Sequence, residues 1–326
     1  MRPGLRARAA AHGGVFTRRH AVECGYSERE LKTLTGHRGA WVVVRRGAYA
    51  DRSLWDSLDE DGRYLLRVRA VALALRHAAV VSHGSAAVVL GMPMRPRWRE
   101  LAHVTRPGVH GSRTENGVKH HLGTLAEHDL VVVGGLHVTG LARTALDVGR
   151  EHGYEDGVVA ADAALRLGAT REDLVRGLEP MRCWPGITPV RAAVEVADAG
   201  AQTVGESLLR LMVLELQIGA PQTQFVITEG GRRAEVDLRV GRHLFEFDGR
   251  VKYRGRESGG VAEEPPEQVV WREKQREDWV RRADGGYGMS RVVWAEMFGT
   301  RRRATLRRLK EEFEGTLRRF GGDMWT

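Results

Sequence analysis

The sequence has little of what would place a protein outside the cell or in a membrane. It holds two cysteines, Cys24 and Cys183, far apart in the chain, so neither a disulfide framework nor a zinc ribbon is expected. A reducing cytoplasm is the simplest home for such a chain. No segment approaches the roughly 18 consecutive apolar residues that a membrane span requires. The arginine-rich opening "MRPGLRARAAAHGG" has no apolar core segment and is not read as a secretory signal. Acidic residues are also in deficit, with 42 Asp and Glu against 51 Lys and Arg, for a net charge of +9. The imbalance is local. Residues 1–50 carry ten Lys/Arg against three Glu, and residues 301–326 carry eight basic against four acidic residues. Basic ends on a chain without a membrane span point to an anionic polymer, most often nucleic acid, although arginine-rich composition alone is a blander explanation.

What is present is enough for real cores: 326 residues, 42% of them apolar, a length that suggests two or three domains. In residues 14–50, "FTRRHAVEC" has Thr17 as an N-cap and Gly25 as a stop. "SERELKTLTG" follows, with Ser27 and Glu30 at capping-box spacing. Leu31 and Leu34 mark its buried side and leave Arg29, Lys32 and Thr33 outside. "WVVVRRGAY" reads as strand, glycine turn and strand. Helix, turn, helix and β wing is the winged helix-turn-helix order. It would send the second helix into the DNA major groove and bring Arg45 and Arg46 of the wing near phosphates. A small helical hairpin capping another domain is the alternative.

Residues 60–200 read as mixed helix and strand. "YLLRVRAVALALRHA" is an amphipathic helix, "AAVVSHGSAAVVLGMP" a buried helix with a polar start, and "ELAHVTRPG" and "DLVVVGGLHVTG" strands. "LARTALDVGREHG" and "YEDGVVAADAALRLG" are helical, with Gly168 a C-cap. Ser82, His83 and Ser85 lack the second glycine of a nucleophile elbow, so packing or capping is expected of them. "KHH" at 119–121 shows no metal-ligand spacing and reads as a solvated basic surface. From about residue 203 the character changes. "TVGESLLRLMVLELQIG" is a helix buried on more than one side, and "YRGRESGGVAEEPPEQ" reads as a mobile loop. "VVWREKQREDWVRRADGG" is a charged helix and "MSRVVWAEM" an apolar strand. In the closing helix Leu306, Leu309, Phe313 and Leu317 recur at helical spacing.

The stretch "AEVDLRVGRHLFEFDG", residues 234–249, poses the sharpest question. Folded as a hairpin on Gly241-Arg242, it sets Asp237 opposite Glu246 and Glu235 opposite Asp248. All four carboxylates then share one sheet face, where like charges destabilise. Arginines such as Arg239, water, or a divalent cation can make such a patch tolerable. Mg²⁺ usually takes one or two protein carboxylates, which the Asp237–Glu246 pair would supply.

These residues carry a resemblance. "GESLLR", "EVDLRV", "FEFDGRVKY" and "REKQRED" followed by "RVVW" resemble the PD-(D/E)XK nuclease fold. More narrowly, they resemble its DUF559-type, very-short-patch-repair-like endonucleases. "GGVFTRRHAVECGYSERELKTLTGHRGAWVVVRRGAY" resembles the winged-helix domain of AbiEi-family antitoxins of type IV toxin–antitoxin systems, with "SHGSAAVVLGMP" and "VTGLARTALDV" resembling the region that follows. The fold implied is α/β (α+β) in three parts. These are a winged helix-turn-helix over 1–58, a mixed α/β middle domain over 59–200, and a PD-(D/E)XK nuclease-like domain over 201–326. The resemblance implies Mg²⁺ or Mn²⁺ held by Asp237, Glu246, Glu206 and Asp248. The lysine expected two residues after Glu246 is absent, since position 248 is aspartate, and Lys252 or Lys274 would supply it. Arg276 and Asp278 are further candidates. DNA is the implied partner, bound through Arg29, Lys32, Thr33, Arg45 and Arg46. The alternative implication is an antitoxin-like regulator with an inactive nuclease-like domain and a cognate toxin as its partner.

Overall fold

A computed structural model describes residues 1–75, 79–93, 95–106, 111–249 and 266–325. Lys252 and most of the segment read as a mobile loop lie outside the described residues. The chain is mixed α/β and divides into two compact units, Met1–Ala197 and Asp198–Thr326. No helix among the described residues is long and apolar enough to cross a membrane.

In the first unit the arginine-rich opening is a helix, α1 (Pro3–Ala11), with Pro3 at its first position, where the missing N–H costs nothing. Leu5 and Ala9, one turn apart, are its buried stripe. Strand β1 (Val15–Thr17) leads into α2 (Arg18–Glu23), whose N-cap Thr17 accepts from the His20 backbone N–H at 3.1 Å. Cys24 closes α2, and Gly25 at φ +85° turns the chain as glycine readily does. In α3 (Glu28–Leu34) the Ser27–Glu30 capping box closes from both sides. Strands β2 (Trp41–Arg45) and β3 (Ala48–Asp51) flank a turn at Gly47, and β1 adds a third strand in the order β1-β3-β2. Trp41 is the hub of this region's core, with Phe16 and Tyr26 edge-on at centroid distances of 4.7 and 5.0 Å.

The remainder of the first unit is built around a six-stranded sheet. Helices α4 (Arg52–Ser57) and α5 (Glu60–Leu75) precede β4 (Val80–Val81) and α6 (His83–Val89). The stretch expected as one buried helix therefore begins as a strand. Then come β5 (Ala102–Arg106), β6 (Arg113–Glu115), β7 (Val118–Leu122), β8 (Leu130–Val133) and β9 (Leu136–Thr139). Their order is β6-β7-β5-β4-β9-β8, with β5–β7 and β4–β9 parallel. The expectation of a solvated "KHH" fails here. Those residues lie in β7, and His120 and His121 are 5% and 6% exposed. Helices α7 (Leu141–His152), α8 (Tyr154–Arg166), α9 (Arg171–Leu178) and α10 (Ile187–Glu195) complete the unit. Gly168 follows the end of α8 at φ +109°.

The second unit runs α11 (Val204–Glu215), β10 (Gln222–Glu229), β11 (Arg232–Val240), β12 (His243–Asp248), α12 (Pro266–Arg282), β13 (Gly288–Val293) and α13 (Gly299–Phe320). The strands form one sheet, β10-β11-β12-β13, with only the β12–β13 pair parallel. Every residue of α11 from Gly205 to Val213 is buried, as its all-round apolar character requires. A Cβ at Gly205 would sit 2.2 Å from the Phe247 ring, so only glycine lets α11 approach β12 this closely. In α13, Leu309 and Phe313 are buried but Leu317 is exposed. Thr316 takes the inward place because its hydroxyl meets His243 Nδ1 at 2.7 Å.

His243, 1% exposed, also meets Ser290 Oγ at 2.9 Å through Nε2. Burial lowers its pKa from the usual 6.5 to about 4. The imidazole is therefore neutral in the folded unit while the unfolded chain binds a proton below pH 6.5. Stability must fall as pH drops from about 6.5 toward 4. The loss reaches up to about 3 kcal/mol, because each tenfold difference in proton affinity between folded and unfolded chain is worth about 1.4 kcal/mol. Urea unfolding followed between pH 7 and pH 4 measures this. His243→Gln should remove its share of the decline, to which the more strongly lowered His103 and His121 also contribute, and an unchanged slope would exclude His243 as a contributor.

Candidate functional site

The hairpin at the centre of the second unit forms as its turn residues dictate, but its ladder stops short of the acids. Leu238, Arg239 and Val240 pair with Phe245, Leu244 and His243 across the Gly241-Arg242 turn, the register expected from the sequence. Beyond that point the Phe247 backbone N–H donates to Asp237 Oδ2 at 2.7 Å, so a side chain takes the role of the next backbone acceptor. The neighbouring strand is irregular at the same level. Gln224 has φ +50°, and the β10–β11 ladder passes over the Gln224–Asp237 position.

The packing on either side of Asp237 agrees. Ala234 and Val236 share a core cluster with Leu244, Val280 and Met289, whereas Leu238 stands opposite Phe245. Leu244 and Phe245 point to opposite faces, so β11 turns over by one face at Asp237. The expected single patch of four carboxylates is therefore divided. Glu246 faces α12, and Arg276 of that helix bonds it at 3.0 Å. Arg291, its neighbour on β13, bonds the other oxygen, also at 3.0 Å. Glu235 points the other way, toward Gln202 Nε2 at 3.4 Å, while its backbone carbonyl accepts from Arg276. Asp237 lies at the turning point, where β11 and β12 part. Asp248 is half-buried at the end of β12.

Glu206 is 8% exposed and sits in the first turn of α11. The Thr203 hydroxyl and the Gln202 backbone N–H donate to it at 2.9 and 2.8 Å, and Gln224 Nε2 donates at 3.0 Å. A carboxylate there also favours the positive end of the helix. Gln224 thus links Glu206 to the level of Asp237. The expected neutraliser, Arg239, does other work. It donates to the Gly241 carbonyl at 2.6 Å and stacks over the Phe225 ring. Lys274 is exposed on α12. It is two residues from Arg276, or about 200° around the helix, so the same helix cannot aim both at Glu246. Asp278 is exposed as well. Arg291 is the site residue that sequence reasoning missed. Its signal was an arginine in the middle of the apolar run "MSRVVW".

Among the described residues, the one group of three metal-type ligand atoms within 4.8 Å of one another is His83, His103 and His121. The described carboxylates of the second unit form no such group: Glu246 is turned to its two arginines and Glu206 to its helix cap.

In the first unit, Arg29, Lys32 and Thr33 are exposed together on α3, opposite buried Leu31. Arg46 is exposed and Arg45 half-buried in the β2–β3 hairpin. The glutamates of this region are matched by arginines: Glu28 by Arg18, Glu30 by Arg2, and Glu23 by Arg19 and Arg8. The last pairing holds the Glu23 carboxyl down at about 2. The exposed side of α3 and the hairpin turn is left cationic.

Comparison of the chain with protein-family models finds no match, and neither does comparison with curated proteins.

Proposed function

We propose that the chain binds DNA through α3 and the β2–β3 hairpin and hydrolyses DNA phosphodiesters at the parting of β11 and β12, with Mg²⁺ or Mn²⁺ as cofactor. The observation that carries the reading is Asp237, a carboxylate placed where two strands separate, with Glu246 on the adjoining strand and Glu206 tied in through Gln224. Hard oxygen donors of this kind suit Mg²⁺ or Mn²⁺, and Asp237 and Glu246 are the residues that would hold the ion, with Glu206 in support. Such an ion would supply Lewis-acid polarisation of the scissile phosphate and would lower the pKa of the attacking water. The chain's own contribution is charge and position. Arg276 and Arg291 are held at Glu246 by ion pairs, with Arg276 also on the Glu235 carbonyl and Arg291 also on Glu277 at 3.2 Å. A cation at Glu246 would loosen one edge of each guanidinium, which could then turn to phosphate oxygens. They take the part expected of the missing lysine.

The same ion pairs support a second reading. Glu246 already has two cationic partners, so its carboxylate is stable in this arrangement without any metal. A DNA-binding regulator of the antitoxin kind, with a toxin as its protein partner, would need no more. Plasmid nicking by the purified chain, with Mg²⁺ or Mn²⁺ against EDTA, separates the two. Cation-dependent nicking supports the nuclease, whereas DNA retardation without nicking supports the regulator.

Both readings place phosphates against α3. The Arg29→Ala/Lys32→Ala variant should weaken binding uniformly across DNA sequences and reduce the slope of log K against log salt by about 2, or about 1 for each lost contact. Fluorescence anisotropy between roughly 50 and 200 mM salt measures the slope. An unchanged slope would move the DNA surface elsewhere.

A further inference from the structure

The three histidines noted above come from separate elements of the six-stranded sheet region. His83 is the first residue of α6, His103 lies in β5 and His121 in β7. In the parallel β5–β7 ladder Thr105 faces His121 and His103 faces Lys119, so both histidines lie on one face as diagonal neighbours. All three are at most 6% exposed. His103 Nδ1 and His121 Nε2 are 2.9 Å apart, and the His83 and His121 rings stack at 3.6 Å.

Several features are unusual for histidines that merely fill a core. His83 has φ +53°, a backbone state that costs a non-glycine residue about 1 kcal/mol or more. Its Nδ1 is fixed by Ser82 Oγ at 3.0 Å, and Ser82 in turn accepts from Thr105 Oγ1 at 2.8 Å. That chain of hydroxyls leaves Nε2 as the nitrogen with which His83 faces its neighbours. Outer contacts of this type orient histidines in metal sites. His103 is anchored separately, its backbone N–H donating to Ser85 Oγ, which also meets the Tyr64 hydroxyl. Burial keeps all three rings neutral, with His103 lowered to about 3 and His121 to about 2.

We propose that His83, His103 and His121 form a site for a late divalent transition metal, zinc being the reference case. Three nitrogen donors select zinc, cobalt, nickel or copper over magnesium. Tetrahedral coordination at about 2.0–2.1 Å puts donor nitrogens about 3.4 Å apart. The His103–His121 pair, now at 2.9 Å, therefore opens slightly while the three donors, all within 4.8 Å of one another, draw in around the ion. Parallel rings cannot both turn an edge to one ion. Loading therefore opens the His83–His121 stack by rotation about a Cβ–Cγ bond, and the ion takes the place of the His103–His121 hydrogen bond, the donor ring carrying its proton on its other nitrogen instead. The fourth position falls to water or a small anion. The cations Arg150, Arg143 and Lys119, which act electrostatically on these histidines, favour the anion. This site is independent of the nuclease reading.

The test uses tag-free, chelator-treated full-length protein. Titration with Co²⁺ is followed by visible absorption, and Zn²⁺ affinity is read by competition with a chromophoric chelator. One metal per chain is expected, without competition from Mg²⁺. Affinity should fall about 100-fold or more in His103→Gln and in His121→Gln, and about 10-fold in Ser82→Ala. It should be unchanged in Asp237→Ala. X-ray absorption at the zinc edge of the unaltered protein counts imidazoles without relying on any variant, and three are expected. Absence of stoichiometric binding overturns the proposal, as does binding that survives both glutamine variants or shows carboxylate or thiolate ligands.

Discussion

Asp237→Ala is expected to remove cation-dependent nicking while DNA retardation stays within about twofold of the unaltered chain. A metal ion contributes several kcal/mol of transition-state stabilisation in phosphoryl chemistry. Each factor of ten in rate corresponds to about 1.36 kcal/mol, so loss of the central ligand should cost about 10³-fold or more. The substitution also removes the acceptor for the Phe247 N–H, so Asp237→Asn is the better-matched partner. It keeps an acceptor oxygen there while removing the charge. Loss of nicking in both variants, with circular dichroism unchanged, assigns the effect to chemistry. Nicking at the original rate in Asp237→Asn would place the centre elsewhere, and a chain that never nicks leaves the regulator reading. Arg276→Ala and Arg291→Ala add a further contrast. They should slow cleavage if the guanidinium groups turn to phosphate, and accelerate it if they only compete with the cation.

The second large effect concerns stability. Asp156 is fully buried in the first turn of α8. It receives Arg95 Nη1 at 3.2 Å and the Trp98 indole N–H at 2.5 Å, and it also pairs with Arg97. The Arg95 side chain is only 8% exposed. Asp156→Ala removes the carboxylate closest to that buried guanidinium, and Glu155, at 3.9 Å and half open to solvent, is the more distant acid. Breaking a buried pair from one side costs about 3–5 kcal/mol. For a unit of this size that corresponds to a fall in Tm of about 10 °C. Thermal unfolding by circular dichroism reads it. A change below about 1 kcal/mol would mean that water replaces the carboxylate and that the cluster is not sealed. The surface pairs behave differently. Arg18–Glu28 and Arg2–Glu30 are exposed and screened by solvent, so breaking either pair should leave thermal unfolding almost unchanged.

The sequence by itself determined the local events. Thr17, Ser27 and Glu30 set helix starts because capping uses neighbours within three residues. Gly241-Arg242 fixed the β11–β12 turn and its first three pairs. Helical periodicity put Arg29, Lys32 and Thr33 outside α3 because Leu31 had to be inside. The mixed α/β class followed from such periods, but strand β10 and the parallel pairing of β12 with β13 did not.

Tertiary structure decided what depends on partners distant in sequence. The turn-over of β11 at Asp237 arises where Gln224, Phe247 and two helices meet, and it divides carboxylates that strand alternation would have kept together. Which cation faces Glu246 was a choice among Lys274, Arg276 and Arg291. Helical phase and strand neighbours settled it for the two arginines. His83, His103 and His121 are about twenty residues apart, with no local ligand spacing to betray them. Only the parallel pairing of β5 with β7 and the docking of α6 bring them together. Local chemistry writes the elements within reach of a few residues, whereas the charge pairs and ligand sets are written by chain segments that meet only when the sheets close.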